Sequence, residues 1–247
     1  MARLPTPLPT RQHRLQHRAG FETVPEQFHA LPDSAFRSLY EWSKHHGETQ
    51  VVEFAQKHNL EAKIYRPAII VGSPSTQVIS YSAYYQVCEA LHRLGRRVAA
   101  RVEGEIPDIR MIGIPGALVN FVPIDFVIDG MMQLATAVQG HPGSAKVFNV
   151  VNETPPTLEL VHRVVCLSLG MEWLKVVPEH AFNDNPMTSL ERVLARSIAF
   201  QAPYMYEEIH FATDHFRAHV SAEQLPSPRI DQSFLEAINE IFFKSLK

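Results

Sequence analysis

Residues 61–72, with the sequence EAKIYRPAIIVG, form the run that most constrains the fold. Apolar and β-branched side chains fall on both alternating faces of this run, and Pro and Gly lie close behind, which is typical of a buried strand that enters a turn. A helical pattern over residues 38–57 ends just before it. A helix followed at once by such a strand predicts the αβ half of a βαβ unit, in which helices cover both faces of a parallel sheet.

The helix over residues 38–57 carries clear start signals. Ser38 is predicted to cap its N-terminus, and Glu41, three residues later, to complete a capping box. Its apolar face is expected to consist of four residues, Val51, Val52, Phe54 and Ala55.

The remaining pattern alternates between short strands and helices. Helices are predicted from residue 80 to a C-cap at Gly95, from a start near Pro123, and from a cap at Thr157. Short strands are predicted near 109–114, 118–122 and 145–153, and the chain beyond Pro186 is predicted to be mostly helical. We therefore expect a partial Rossmann-like α/β fold with a doubly wound parallel sheet and a helical C-terminal substrate-side portion.

Three regions are expected along the chain. Residues 1–20 are rich in Pro, Arg and His and are expected to form a disordered leader. Residues 21–150 are expected to be the C-terminal part of a Rossmann-like domain, and residues 151–247 the mostly helical substrate-side portion.

Composition narrows the classes of function. A formal net charge of −3 over 247 residues gives no general attraction to nucleic acid, so no nucleic-acid partner is expected. No apolar run reaches the roughly 18 residues of a transmembrane helix. The two cysteines, Cys88 and Cys166, lie in apolar helical patterns and are expected to be buried and unpaired, which fits a reducing, cytoplasmic location.

Histidine is abundant, at 13 residues, and raises the question of a metal site. His215 and His219 are one helical turn apart, and His45 and His46 are adjacent. No HExxH motif is present and no cysteine accompanies these residues, so we expect solvated surface histidines and no metal.

Tyr40 and Lys44 are the first candidates for chemistry. Residues four apart lie on one face of a helix, and an ammonium beside a phenol stabilises the phenolate. Such a tyrosine can exchange a proton with a carbonyl or alcohol oxygen, while the lysine still has donors for ribose hydroxyls. The same spacing also occurs by chance on helix surfaces. The surrounding sequence is therefore needed to distinguish a catalytic pair from a chance pair.

That context resembles a known family. YEWSKHHGE at 40–48, followed by VVEFAQKHNLEAKIYRPAIIVG at 51–72, resembles the tyrosine–lysine helix and Arg-Pro strand of the extended short-chain dehydrogenases/reductases, the NAD-dependent epimerase/dehydratase superfamily. Residues 120–135 and 146–165 resemble later segments of the same family. The tail, 189–220, is similar to the helical extension of the fatty acyl-CoA reductase, male-sterility and thioester reductase branch.

The resemblance implies specific roles. Tyr40 would be the catalytic acid/base, and Lys44 would tune it and hold the nicotinamide ribose of NADP or NAD. Four residues, Pro67, Ala68, Ile69 and Ile70, would line the nicotinamide. The implied activity is reduction of an acyl thioester, aldehyde or similar carbonyl of a small, lipid-like molecule. A cytoplasmic location is expected, and a homodimer is one expected assembly.

The chain also departs from the family pattern. It has no GxxGxxG phosphate-binding turn; Gly113 with Gly116, and Gly140 with Gly143, give only GxxG spacings in loop-like context. Thr10 is the only hydroxyl near the position of the family's catalytic Ser or Thr, and the chain is expected to lack the N-terminal part of the fold. Two alternatives therefore stay open: a non-catalytic fragment or pseudoenzyme that packs against a partner, and a nucleotide-sugar epimerase or dehydratase.

Overall fold

A computed structural model describes residues 23–36, 38–77, 83–100, 104–138, 140–205 and 209–246. The expected leader, residues 1–20, lies outside these ranges. The described residues form eight strands: β1 (Thr23–Val24), β2 (Ala62–Pro67), β3 (Ile69–Val71), β4 (Ile109–Ile112), β5 (Phe121–Pro123), β6 (Ala145–Val150), β7 (Leu174–Val177) and β8 (His210–Phe211).

Seven α-helices occur in the same ranges: α1 (Leu39–His58), α2 (Ala83–Ala99), α3 (Ile124–Ala137), α4 (Leu158–Leu169), α5 (Ser189–Ser197), α6 (Asp214–His219) and α7 (Gln232–Ser245). Short 3₁₀ turns lie at Asp33–Ala35, Glu179–Phe182 and Ala202–Met205. The predicted α/β class is confirmed, as is the mostly helical C-terminal region. The proposed domain boundaries stay a prediction.

All four strand pairs are parallel, as the apolar strand pattern predicted. β2 pairs with β6 along its whole length, from Ala62 opposite Ala145 to Pro67 opposite Val150. β3 pairs with β5, β4 with β7, and β1 with β8. Because these pairs are parallel, the carboxyl ends of the paired strands lie at the same edge.

Helix α1 begins as predicted, because the Ser38 side chain accepts a hydrogen bond from the Glu41 N–H at 3.2 Å. Its apolar face is not the predicted one. Only Ala55 is buried, whereas Val51 and Phe54 are exposed. Val51 lies one turn before Ala55 on the same face of the helix, so this face is buried at Ala55 but not one turn earlier.

One predicted helix boundary is wrong and another is confirmed. Gly95 does not end α2, which continues to Ala99. A side chain at Gly95 would meet Met171 Sδ at 3.0 Å, so glycine serves close packing there rather than a turn. The predicted start near Pro123 is confirmed: α3 begins at Ile124, and Pro123 is its N-cap rather than its first residue.

The principal core lies around α2 and includes residues from β3, β4, α4, α5 and α7. A smaller cluster lies under α3 and α6, around Val122, Leu134, Phe148 and Phe216. Cys88 and Cys166 are both buried and unpaired, as predicted. The core therefore belongs chiefly to the part of the chain that follows β2.

A buried ion pair joins β4 to α5. Arg110 donates to both carboxylate oxygens of Glu191, at 2.8 and 3.0 Å, and its guanidinium lies 4.3 Å from the Phe182 ring centroid. Burial alone would raise the pKa of Glu191, but Arg110 and the N–H groups of Thr188 and Arg110 lower it to about 2. The carboxylate also accepts the backbone N–H of Thr188, which completes a capping box on α5.

A second buried carboxylate fixes the start of the described chain. Glu26 is almost fully buried and accepts the backbone N–H groups of Asn149 in β6 and of His215 and Phe216 in α6. Burial raises its pKa although these three N–H groups act in the opposite direction. Asn149 adds two bonds from its amide, to the carbonyls of Val24 and Ala212.

Candidate functional site

Tyr40 and Lys44 lie on the first two turns of α1, on one face of the helix. The Lys44 Nζ is 5.4 Å from the centroid of the Tyr40 ring, within the range of a cation–π contact. Between them, the Ser43 hydroxyl donates to the Tyr40 carbonyl at 2.8 Å. The geometry therefore brings the ammonium over the ring of the tyrosine.

The Tyr40 ring is open to ligands on one side. It is 53% exposed, and the Phe200 ring, on the chain after α5, meets it edge-on with 5.9 Å between the ring centroids. Within the described part of the chain, Lys44 contacts no carboxylate. Its ammonium donors are thus available for a ligand such as a ribose hydroxyl, so this half of the site fits a nicotinamide nucleotide.

Four residues, Pro67, Ala68, Ile69 and Ile70, lie where the chain passes from the β2–β6 pair to the β3–β5 pair. The Ala68 N–H bonds the Val150 carbonyl at 3.1 Å, at the end of the β2–β6 pair. The next residue, Ile69, bonds the Asn120 carbonyl at 3.0 Å, beside β5. Ligands of open α/β sheets bind where strand order changes, at the carboxyl ends of strands.

This arrangement limits how these residues can bind a nicotinamide. Because the N–H groups of Ala68 and Ile69 already have partners, neither is available to a carboxamide. A backbone contact from Ala68 would come from its carbonyl oxygen, which can accept from the carboxamide NH₂ group. The strand end could therefore accept a hydrogen bond from a nicotinamide carboxamide and provide an apolar wall beside its ring.

A polar link joins the tyrosine helix to this strand. Glu48 accepts from Arg66 Nε at 2.8 Å and from Nη2 at 2.6 Å, and both side chains are mostly buried. Tyr40, Lys44 and Glu48 follow one another at four-residue spacing, and Arg66 directly precedes Pro67. The pair therefore fixes the position of α1 relative to the strand end, a role that sequence analysis did not assign.

Two further anchors hold the segment after β3. Ser73 and Ser75 both donate to the Asp125 carboxylate, at 2.5 and 3.1 Å. The Gly72 N–H donates to the buried Tyr85 hydroxyl of α2 at 3.0 Å. These bonds connect the turn beyond Ile70 to α3 and α2, so the strand end is held from two helices.

Aromatic and polar contacts anchor the other side of α1. The Trp42 Nε1 donates to Asp33 at 2.8 Å, and the Leu31 N–H donates to the His45 Nε2 at 3.3 Å. Two rings, those of Phe28 and Phe36, lie 5.4 and 5.0 Å from that of His45. His45 is thus packed rather than solvated, in contrast to the prediction, and burial lowers its pKa.

His215 and His219, by contrast, are exposed on α6, as predicted. Among the residues that the structure describes, no group of three His, Cys, Asp or Glu side chains is placed to hold a metal ion. In those ranges no helix is long and apolar enough to cross a membrane.

The two GxxG spacings lie in loops. A side chain at Gly113 would overlap Leu158 and Val176, so this glycine serves packing, and Gly116 lies in a turn. Gly143 adopts a φ of +77°, which favours glycine, and Gly140 packs against the Glu61 side chain. Thr10 lies outside the described residues.

Comparison with known proteins agrees with this geometry. Residues 14–131, a little under half of the chain, match the family model of the NAD-binding domain described as male sterility protein. This stretch contains Tyr40, Lys44 and the strand end at Pro67–Ile70. No curated protein sequence matches the chain.

Three solved structures share the fold. The terminal R domain of the myxalamid PKS-NRPS pathway is 16% identical over 91% of this chain, with a TM-score of 0.61. A thiolation-reductase di-domain from an archaeal non-ribosomal peptide synthetase is 18% identical over 94%, with a TM-score of 0.57. RMD from Pseudomonas aeruginosa, complexed with NADPH, is 11% identical over 94%, with a TM-score of 0.56.

The chain spans 53%, 46% and 64% of the lengths of these three structures, respectively. At these identities the structures establish the fold alone, and the family match rests on residues 14–131. The family match over residues 14–131 and the shared fold support the resemblance that the motifs indicated, to the extended short-chain dehydrogenases/reductases and their male-sterility branch.

Proposed function

We propose that this chain is an NAD(P)-dependent oxidoreductase that reduces an acyl thioester, an aldehyde or a similar carbonyl, with Tyr40 as the proton donor. One observation carries the proposal. The face of α1 that holds Tyr40 and Lys44 is linked through Glu48 and Arg66 to the strand end at Pro67–Ile70. This link supports the proposal, because it connects the helix of Tyr40 and Lys44 to the strand end.

The roles of the residues follow from this placement. The nicotinamide, when bound, supplies the hydride that reaches the carbonyl carbon. Tyr40 donates its hydroxyl proton to the carbonyl oxygen, which turns the carbonyl into an alcohol or, for a thioester, into a hemithioacetal that releases the thiol. Lys44 stabilises the phenolate left behind and donates to the ribose hydroxyls.

The cofactor is NADP or NAD, held by Lys44 and by the wall of Pro67, Ala68, Ile69 and Ile70. The buried thiols of Cys88 and Cys166 fit a reducing, cytoplasmic location. The substrate is a small molecule with an apolar part, since the chain beside Tyr40 exposes apolar side chains.

The proposal is tested by Tyr40→Phe, which removes only the hydroxyl. With NADPH and decanal, or the decanoyl thioester of N-acetylcysteamine, we expect this variant to consume NADPH about 100-fold more slowly, or not at all. The matched control is Tyr65→Phe, because Tyr65 lies on β2 with its ring stacked on Phe148, away from the proposed chemistry. An unchanged rate in Tyr40→Phe would refute the role of Tyr40.

One observation favours a second candidate, a non-catalytic protein that packs against a partner. Three large apolar side chains of α1, those of Leu39, Val51 and Phe54, are exposed next to the proposed site. Such exposed apolar surface is typical of a helix that binds another protein. Absence of NADPH consumption with either probe, together with stable self-association or partner binding through α1, would favour this candidate. Turnover of a nucleotide sugar instead would point to the epimerase or dehydratase alternative.

A further inference from the structure

We propose that Phe200 determines specificity by selecting substrates with an apolar group next to the reacting carbonyl. This inference rests on the proposed function of Tyr40 as proton donor. The Phe200 ring lies edge-on to the Tyr40 ring and is itself 49% exposed. It therefore presents apolar surface directly beside the group that would meet the carbonyl oxygen.

The position of Phe200 is fixed by its neighbours in sequence. Ile198 is buried in the principal core, and the side chain of Gln201 is buried and donates to Gln86 Oε1 of α2 at 2.6 Å. The Ala202 N–H bonds the Ile198 carbonyl at 2.9 Å, which closes the turn that contains Phe200. The ring is thus held partly in solvent by a backbone that is anchored on both sides.

The segment that follows Phe200 is hydrogen-bonded to the chain just beyond the end of β4. The Ile114 N–H, two residues beyond β4, bonds the Met205 carbonyl at 3.1 Å. Ile114 is also a large apolar side chain that stays half exposed. Phe200 and Ile114 therefore add exposed apolar side chains near the carboxyl edge, where ligands of such sheets bind.

The chemistry of the ring decides which ligands it favours. A phenylalanine ring offers no hydrogen-bond donor or charge for the phosphates or hydroxyls of a nucleotide sugar. It gains free energy when a hydrocarbon chain covers it, roughly in proportion to the apolar area removed from water. Phe200 therefore favours an acyl chain over a sugar beside Tyr40.

The test compares two probes that differ only in chain length, the decanoyl and acetyl thioesters of N-acetylcysteamine. Binding is measured by isothermal titration, with and without NADPH, so that it does not depend on turnover. We expect Phe200→Ala to weaken binding of the decanoyl probe about tenfold and to change binding of the acetyl probe less than about twofold. Phe200→Leu, which keeps an apolar side chain, should restore most of the affinity.

The matched control is Leu167→Ala, because Leu167 on α4 is as exposed as Phe200 and should have no effect on either probe. Circular dichroism and thermal melting verify that each variant is folded. Equal loss for both probes, an unchanged affinity in Phe200→Ala, or no binding of the decanoyl probe by the unmodified protein would overturn the proposal. The proposed function fails separately, through an unchanged turnover rate in Tyr40→Phe.

Discussion

Helices α1 and α2 are similar in length but are held in opposite ways. Helix α2 buries six side chains: Tyr84, Tyr85, Cys88, Leu91, Leu94 and Val98. Helix α1 buries only Ala55 and exposes Leu39, Tyr40, Trp42, Val51 and Phe54. Apolar burial therefore stabilises α2, whereas polar and aromatic contacts at a few positions hold α1.

This difference in burial indicates that stability and the proposed function depend on different helices. Burial of apolar side chains is the largest favourable term in folding, so α2 and its neighbours should account for most of the stability. The proposed chemistry lies on α1, whose exposed face adds little to stability. Substitutions should consequently separate into changes that unfold the protein and changes that alter its interactions.

The largest expected effect comes from α2. Leu91→Ala removes a side chain that is 2% exposed and leaves a cavity, so we expect a loss of about 2–5 kcal/mol in the free energy of unfolding. Phe54→Ala on α1, where the ring is 57% exposed, should cost less than about 0.5 kcal/mol. Equilibrium unfolding in urea measures both. Similar losses of unfolding free energy for the two variants would contradict the inference that α2 contributes more to stability than α1.

The next effect is a loss of stability in acid, on the densely packed side of the molecule. Burial, with the charge of Lys175, lowers the pKa of His162 on α4 from 6.5 to about 4. Folding thus favours the neutral imidazole, so its contribution is complete above pH 6.5 and is lost as the pH falls toward 4. We expect a loss of about 3 kcal/mol over this range from this group.

His162→Gln tests this expectation, because glutamine stays neutral at every pH and can still bond the Cys166 thiol that His162 contacts at 3.3 Å. The variant should lose clearly less stability between neutral pH and pH 4 when unfolding in urea is followed at each pH. A parallel decline in both proteins would assign the acid sensitivity to other groups.

A smaller effect is expected for the polar link of α1. Glu48→Gln removes the charge that Arg66 pairs with, and we expect a loss of about 1–2 kcal/mol because a charge-assisted, mostly buried pair is weakened. Glu53→Gln is the matched control on an exposed position of the same helix. Should the two variants unfold at the same urea concentration, Glu48 would not be what holds α1 to the strand.

The smallest change in stability is expected on the exposed face of α1. Leu39→Ser with Phe54→Ser should alter the free energy of unfolding by less than about 0.5 kcal/mol per site. The double variant should nevertheless self-associate less in sedimentation velocity, because it loses exposed apolar surface. The control is Leu167→Ser on α4. Association that persists unchanged in the double variant would exclude this face as the contact surface.

Local signals predicted the elements around the site well. The Ser38 cap, the α1 helix and the strand before Val71 follow from short-range patterns, and all are present. The break between β2 and β3 at Ala68 could not be predicted. It arises because Ala68 bonds Val150 while the next residue, Ile69, bonds Asn120, and both partners are distant in sequence. The carboxamide contacts that we propose for a nicotinamide would depend on this long-range pairing.

Long-range polar contacts were also beyond sequence reasoning. Glu48 with Arg66, and Glu26 with Asn149, join residues 18 and 123 positions apart. Nothing in the local sequence marks such pairs, since each residue alone resembles an ordinary polar or charged residue. Strand β7 was missed for the same reason, because its partner β4 lies more than 60 residues earlier.

Titration with NADPH is the direct test of whether the face of α1 that carries Tyr40 and Lys44 binds a nicotinamide cofactor. NADPH is titrated against the unmodified chain and against Lys44→Ala while the nicotinamide fluorescence is followed. The account predicts a saturable change with a dissociation constant below about 1 mM for the unmodified chain, and clearly weaker binding for the variant. A flat titration up to about 1 mM, or equal binding by Lys44→Ala, would contradict the assignment of this face of α1 to a nicotinamide cofactor.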